Sequence, residues 1–196
     1  MNEMVKMVVV LTILTAFSGG LLASIRNGTA EKIEIQQLKF VKGPAIKTIL
    51  EGAENDPIAD RFKIKDGEKE YSVFVGKFDG KANAVAMESF ATGFGGPVGV
   101  MVGINMEDDS VLAVGVTTHA ETPGLGSRAK DDPEFVAQFK GGAIKDPFKV
   151  SKDGGQINAL SGATITSQAV CQATTDVGSA YQKLKPKIQE KIATLK

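Results

Sequence analysis

The stretch that decides the fold is GPVGVMVGINMEDDSVLAVGVTTHA, residues 96–120. Two runs rich in β-branched residues flank Asp108 and Asp109, a pattern typical of two strands joined by a hairpin turn. Residues 69–80 (KEYSVFVGKFDG) and 83–93 (NAVAMESFATG) read as further strands. Because strands do not alternate regularly with helices, the sequence predicts an α+β fold with an antiparallel sheet and packed helices.

Helical patterns precede and follow these strands. Residues 131–141 (DDPEFVAQFKG) predict a short helix with Pro133 in its first turn. A last helix places one apolar face toward the core: Val170, Ala173, Val177, Tyr181 and Leu184. Near the other end, Thr29 is interpreted as the N-cap of a juxtamembrane helix, and residues 43–53 (GPAIKTILEGA) as a second short helix.

These elements divide the chain into an anchor and one soluble domain, which is large enough to bury a core. The expected boundaries are an N-terminal tail at 1–4, a transmembrane anchor at 5–25, a helical linker at 26–58, the soluble domain at 59–185 and a C-terminal tail at 186–196.

Composition excludes several classes of function. Lys plus Arg and Asp plus Glu both number 23, so no basic excess is available for nucleic acid, and we expect no nucleic-acid partner. The chain has one cysteine and one histidine, which excludes an internal disulfide and cysteine- or histidine-rich metal sites. Redox chemistry in this chain would therefore need an organic cofactor.

Residues 5–25 (VKMVVVLTILTAFSGGLLASI) carry no charge apart from Lys6 and have the roughly 20-residue length that crosses a bilayer. A cleaved signal peptide is the alternative, but the apolar run exceeds the about 7–15 residues of a signal core. We therefore expect an uncleaved single-pass anchor. Lys6 before the span and Arg26 and Lys32 after it leave the orientation undecided by charge.

The stretch SGATITS, residues 161–167, packs four hydroxyls around Gly162 and Ala163 before the last helix. The simplest interpretation is a helix cap in a tight turn. A phosphate site is the functional alternative, because backbone N–H groups and the helix dipole favour an anion there. A hydrolase nucleophile, Ser161 with His119, lacks the G-x-S-x-G pattern and an acidic partner.

Two glycine-containing loops are further candidates. Residues 119–128 (HAETPGLGSR) are either an ordinary loop or a binding loop in which His119, Glu121 and Thr122 crowd together. Residues 93–96 (GFGG) precede a strand, so they are not a dinucleotide fingerprint. Glycines at this position allow the close approach of a flat ligand or of another backbone segment.

Four stretches in this order, GGPVGVMVGI, HAETPGLGSR, DPEFVAQFKG and ALSGATITSQAV, resemble the FMN-binding subunits of two kinds of membrane complex. These are the G subunits of Rnf ion-translocating electron-transport complexes and the C subunits of sodium-translocating NADH:quinone reductases. The resemblance covers about residues 71–181. The short soluble domain favours the Rnf-type subunit.

The resemblance implies that a flavin transferase joins FMN through its phosphate to Thr164, the threonine that closes S-G-A-T. It also implies that the ETPGLG loop lines the isoalloxazine ring. The residues expected at the cofactor are Ser161, Gly162, Ala163, Thr164, Thr166, Ser167, His119, Glu121, Thr122, Leu125 and Gly126. The family pattern has aspartate where this chain has Asn158, which leaves a scaffold without flavin as an alternative.

The resemblance also implies the setting of the protein. It would relay electrons from ferredoxin toward NAD inside an ion-translocating complex and would not be catalytic alone. Its partners would be the other membrane subunits of the complex and the flavin transferase. The anchor would lie in the cytoplasmic membrane, with the soluble domain on the extracytoplasmic side.

Overall fold

The structure is a computed structural model that describes residues 2–67 and 69–194. It comprises two compact units, one up to Phe40 and the other from Val41 onward. Residues 1, 195 and 196 of the expected tails lie outside the described residues.

The first unit consists mainly of helix α1, Glu3–Gln37. Within it, Glu3–Ala30 contains an 18-residue window with a mean hydropathy of 2.2, so this helix is long and apolar enough to cross a membrane. The expected N-cap at Thr29 is wrong. Thr29 lies inside α1, where its hydroxyl donates to the carbonyl of Ile25 at 2.8 Å. Threonine in mid-helix satisfies its hydroxyl in this way, so a threonine alone does not mark a helix start.

The second unit is built on a five-stranded antiparallel sheet in which each strand pairs with the next one along the chain. A π-helical turn, Leu38–Lys42, spans the boundary between the units and leads to α2, Gly43–Ile49. The strands are β1 Arg61–Asp66, β2 Lys69–Phe78, β3 Lys81–Thr92, β4 Pro97–Asn105 and β5 Ser110–Thr118. Three helices follow: α3 Arg128–Asp131, α4 Pro133–Ala137 and α5 Thr164–Thr194, with a 3-10 turn at Ser151–Asp153. The predicted α+β class is confirmed.

Helix α5 covers one face of the sheet. Its five predicted core residues are all buried, and they join the cluster that includes Val85, Met87, Val100 and Val102 of the sheet. Burial of a valine or leucine side chain such as Val170, Val177 or Leu184 stabilises the fold by about 1.5–3 kcal/mol. Helix α5 contacts strands β3, β4 and β1, and residues 161–167 lie at its N-terminal end.

Helix α2 packs against strands β4 and β5. Gly115 makes room for it, because a Cβ there would lie 3.3 Å from Cδ1 of Ile49. Ile46 and Ile49 are buried by this packing. The segment 43–49 thus packs on the sheet, although the sequence assigned residues 26–58 to a linker. Likewise, α5 continues through most of the expected tail at 186–196, and Ile188 is buried.

Asp109 joins the β4–β5 turn to α5. Its backbone is left-handed (φ 57°), and its Oδ1 accepts hydrogen bonds from Tyr181 Oη at 2.9 Å and Lys185 Nζ at 2.6 Å. Burial opposes ionisation, but the hydrogen bonds from Lys185 and Tyr181 outweigh it and lower the pKa of Asp109. Burial, followed by the contact with Asp109, raises the pKa of Tyr181.

Candidate flavin site

The turn before α5 presents the hydroxyl-rich stretch. Gly162 has a φ of 77°, a left-handed conformation that glycine adopts without strain. The N–H of Ala163 closes the turn by donating to the carbonyl of Leu160 at 3.0 Å. Ser167 is fully buried; its hydroxyl donates to the Ala163 carbonyl and accepts from the Leu160 N–H, both at 3.0 Å. Ser167 therefore holds the turn.

The four hydroxyls of this stretch differ in availability. Thr166 is buried and donates to Oε2 of Glu121 at 2.6 Å. Ser161 is exposed and Thr164 is half-buried, and neither side chain makes a hydrogen bond within the part of the chain that the structure describes. Protein acceptors take the hydroxyl protons of Thr166 and Ser167, so neither hydroxyl has a proton left to donate to an anion. Ser161 and Thr164 remain available.

The loop from His119 to Ser127 folds over this turn. Glu121 is 6% exposed, and its N–H donates to Nδ1 of His119 at 3.2 Å. The carbonyl of Thr122 accepts from the N–H groups of Leu125 and Ser127, both at 3.2 Å. These bonds make the loop a compact turn, in which Leu125 remains 48% exposed.

The glycines of the two loops serve close approach between protein segments. A Cβ on Gly126 would lie 2.5 Å from Oε2 of Glu121 and 2.7 Å from Oγ1 of Thr166. A Cβ on Gly95 would collide with the backbone carbonyl of Ala120, and one on Gly93 with the carboxylate of Glu121. Of the two explanations considered for residues 93–96, the structure shows the approach of another backbone segment.

A cavity of about 380 Å³ opens between these segments, within the range of about 300–1,000 Å³ typical of small-molecule sites. Its lining contains most of the residues expected from the sequence: Glu121, Thr122, Leu125, Gly126, Gly162, Ala163, Thr164 and Thr166. His119, Ser161 and Ser167 lie beside it and are not part of the lining. Phe94 and Ile165 also line the cavity, and sequence reasoning did not select them.

Phe94 and Ile165 give the cavity an apolar mouth. Phe94 is 74% exposed and Ile165 is 47% exposed, which is unusual for such side chains on a folded domain. A sequence signal for both existed, because each is the apolar residue inside an otherwise small or polar motif, GFGG and ATITS. The cavity thus combines an apolar rim with the N-terminus of a 31-residue helix, where an anion is favoured.

Cys171, the single cysteine of the chain, is buried. Burial raises the pKa of Cys171 to about 12, which removes it as a nucleophile at neutral pH. Among the described residues, no three His, Cys, Asp or Glu side chains are grouped to hold a metal.

Asn158, the departure from the family pattern, is exposed. Its Oδ1 accepts from the Ser151 hydroxyl at 3.1 Å, and its backbone pairs with the amide of Gln138. An aspartate oxygen would accept the same bond from Ser151.

A family model and several relatives match this chain. The model of the family described as FMN-binding domain matches residues 93–178, which include the whole cavity lining. Two relatives are G subunits of ion-translocating oxidoreductase complexes. The one from Shewanella oneidensis is 30% identical over 184 residues, covering 88% of this chain and 86% of the relative. The one from Methanosarcina acetivorans is 32% identical over 175 residues, covering 88% of this chain and 91% of the relative.

A solved structure shows the same fold. The crystal structure of NqrC from Shewanella oneidensis has a TM-score of 0.53 and 23% identity, and it covers 70% of this chain and 72% of that chain. The family match defines an FMN-binding domain, which follows an apolar N-terminal helix in the chain. The chain belongs to the family of G subunits of ion-translocating oxidoreductase complexes, as the resemblance predicted.

Proposed function

We propose that this protein is the membrane-anchored flavoprotein subunit of an Rnf-type complex and carries FMN covalently on Thr164. The observation that carries the proposal is Thr164 itself. It is the half-buried first residue of α5, it lines the cavity, and within the described structure its hydroxyl has no partner. The similarity of most of the chain to subunits of such complexes supports the wider assignment.

The residues fit FMN in two parts. A phosphate on Thr164 would lie at the N-terminus of α5. The first intrahelical hydrogen bond runs from the Ser167 N–H to the Ala163 carbonyl. The backbone N–H groups before Ser167 therefore have no carbonyl partner within the helix and favour an anion. Ser161 is exposed in the same turn and can donate to the phosphate. The cavity beside Thr164, with its apolar rim of Phe94, Leu125 and Ile165, suits a flat aromatic ring.

Attachment requires an enzyme that transfers FMN from FAD. Thr164 would supply Oγ1 for the bond to the FMN phosphorus; the pyrophosphate bond of FAD would break, with release of AMP and the hydroxyl proton. The half-exposed position of Thr164 leaves its oxygen accessible for this transfer, whereas Thr166 is buried and bonded to Glu121.

In the complex, FMN supplies the ability to exchange one or two electrons, and the protein supplies orientation and a defined environment. Relay between ferredoxin-linked and NAD-linked subunits follows from the Rnf-type assignment. The other membrane subunits are the expected partners, and the protein alone has no complete reaction to catalyse. The sodium-translocating quinone reductase is the related alternative complex.

We further propose that α1 anchors the protein in the cytoplasmic membrane, with the soluble domain on the extracytoplasmic side. Protease added to intact spheroplasts should digest the domain. Protection in intact spheroplasts, followed by digestion after lysis, would place the domain in the cytoplasm and contradict this topology.

The Thr164→Ala variant tests the flavin assignment. The native protein should fluoresce in a denaturing gel under ultraviolet light, and the variant should be dark but folded, because alanine favours the helix and removes no core contact. Thr194→Ala, an exposed threonine at the other end of α5, is the matched control and should remain fluorescent. A dark native protein produced with its transferase would favour the scaffold alternative, and a fluorescent Thr164→Ala protein would move the attachment elsewhere.

A further inference from the structure

Three segments form the wall of the cavity, and one side chain connects them. Oε1 of Glu121 accepts from the N–H of Gly95 at 2.9 Å, and Oε2 accepts from the hydroxyl of Thr166 at 2.6 Å. Glu121 thus links its own loop to the segment 93–96 and to the first turn of α5. Thr166 is 2% exposed, so the contact with Glu121 is shielded from water.

The chain around this contact is shaped to admit it. Gly93 and Gly126 both face the carboxylate, and neither has room for a Cβ beside it. Gly126 has no left-handed φ, so its requirement is purely steric. Two glycines in separate loops therefore leave room for the Glu121 carboxylate.

The contact is also costly, which argues against a role in stability alone. Glu121 is buried and forms no ion pair with a described Lys, Arg or His, so only neutral donors compensate its desolvation. Apolar residues of similar volume usually stabilise a core as well as or better than such a group. A buried carboxylate that also lines a cavity is better explained by what it holds in place.

We propose that Glu121 and Thr166 form a positioning pair that holds the three cavity segments in the geometry that receives the flavin ring. The identity of the ring as a flavin rests on the proposed function. Its mechanical part concerns residues of this chain only. The pair fixes the wall formed by Leu125 and Gly126 relative to Thr164, so that the attached group has one orientation.

The test uses the full-length protein and changes the hydroxyl of residue 166. Thr166→Val keeps the shape and removes the donor, whereas Thr166→Ser restores it. Thr174→Val is the matched control, because Thr174 is also fully buried in α5 but donates to a carbonyl of its own helix, that of Val170, at 2.9 Å.

Amide hydrogen exchange of the unflavinylated protein is the first readout. In Thr166→Val we expect exchange to accelerate about tenfold in segments 93–96 and 121–126 together, since a shared local contact is lost. Thr166→Ser and Thr174→Val should match the native protein in both segments. Unchanged exchange in Thr166→Val, equal acceleration in Thr174→Val, or a failure of Thr166→Ser to restore protection would overturn the proposal.

The visible circular dichroism of the flavinylated protein is the second readout, because it reports the orientation of the ring. Thr166→Val should change this spectrum while the flavin stays attached to Thr164, and Thr166→Ser should restore it. A native spectrum in Thr166→Val would refute the orienting role. If the native protein instead carries no flavin, the proposed function fails, whereas the exchange experiment still decides whether the pair holds the segments.

Discussion

Gly126→Ala provides the sharpest steric perturbation of the site. The added Cβ would lie 2.5 Å from Oε2 of Glu121 and 2.7 Å from Oγ1 of Thr166. Both separations are roughly 1 Å short of the about 3.5 Å at which non-bonded heavy atoms are comfortable. The carboxylate and the hydroxyl must therefore move, although a hydrogen bond joins them.

The cost follows from the tight packing. Overpacking a well-filled site costs about 1–3 kcal/mol, and displacing Glu121 also weakens its hydrogen bond to Gly95. We expect the free energy of unfolding to fall by about 2–3 kcal/mol, the upper part of the overpacking range. Gly124→Ala is the control: Gly124 has a φ of 75° and nothing within 4 Å of its Cβ position. Its substitution costs only left-handed backbone strain, about 1 kcal/mol.

Urea denaturation of both variants, followed by circular dichroism, measures this difference in the free energy of unfolding. The dependence of that free energy on urea concentration should be the same for both variants. Hydrogen exchange then separates the two causes, because only Gly126→Ala should accelerate exchange in residues 93–96. If Gly126→Ala were no more destabilising than Gly124→Ala and left that segment protected, the close packing around Glu121 would be refuted.

Three further substitutions have defined outcomes. Glu121→Gln retains an acceptor for Gly95 but removes negative charge near the flavin. A redox titration should therefore show a higher reduction potential, because reduction of the flavin becomes more favourable by about 1 kcal/mol. An unchanged potential would mean that Glu121 is not close to the ring. Asn158→Asp should alter flavin labelling only modestly, because either side chain accepts from Ser151; a dark native protein beside a bright variant would show that the charge is required. Asp109→Asn should lower the melting temperature at pH 7. Because the folded pKa of Asp109 is lowered, this penalty should shrink as the pH falls below about 3.9; a pH-independent penalty would contradict it.

Periodic patterns made the core predictable from sequence. The buried face of α5 follows from a helical period, and β2 to β5 follow from β-branched residues and turn signals. Strand β1, RFKIKD, was not predicted, because an edge strand with alternating charges has little apolar signal. The end of α1 was misplaced because Thr29 suits a helix interior as well as a cap.

The site was predictable in its residues but not in their connections. Thr166 and Glu121 were both selected, yet their hydrogen bond joins positions 45 residues apart and depends on the tertiary fold. The need for glycine at Gly93 and Gly126 also depends on the tertiary fold, because the fold brings the Glu121 carboxylate against both residues. Local patterns indicate which residues matter, whereas long-range packing determines which hydroxyl remains free.

Peptide mass spectrometry of the protein purified from its native membrane decides whether Thr164 carries FMN. We expect the peptide containing residues 158–167 to carry one FMN, and fragmentation to assign the phosphate ester to Thr164. An unmodified peptide, or an ester on Ser161 or Thr166, would contradict it.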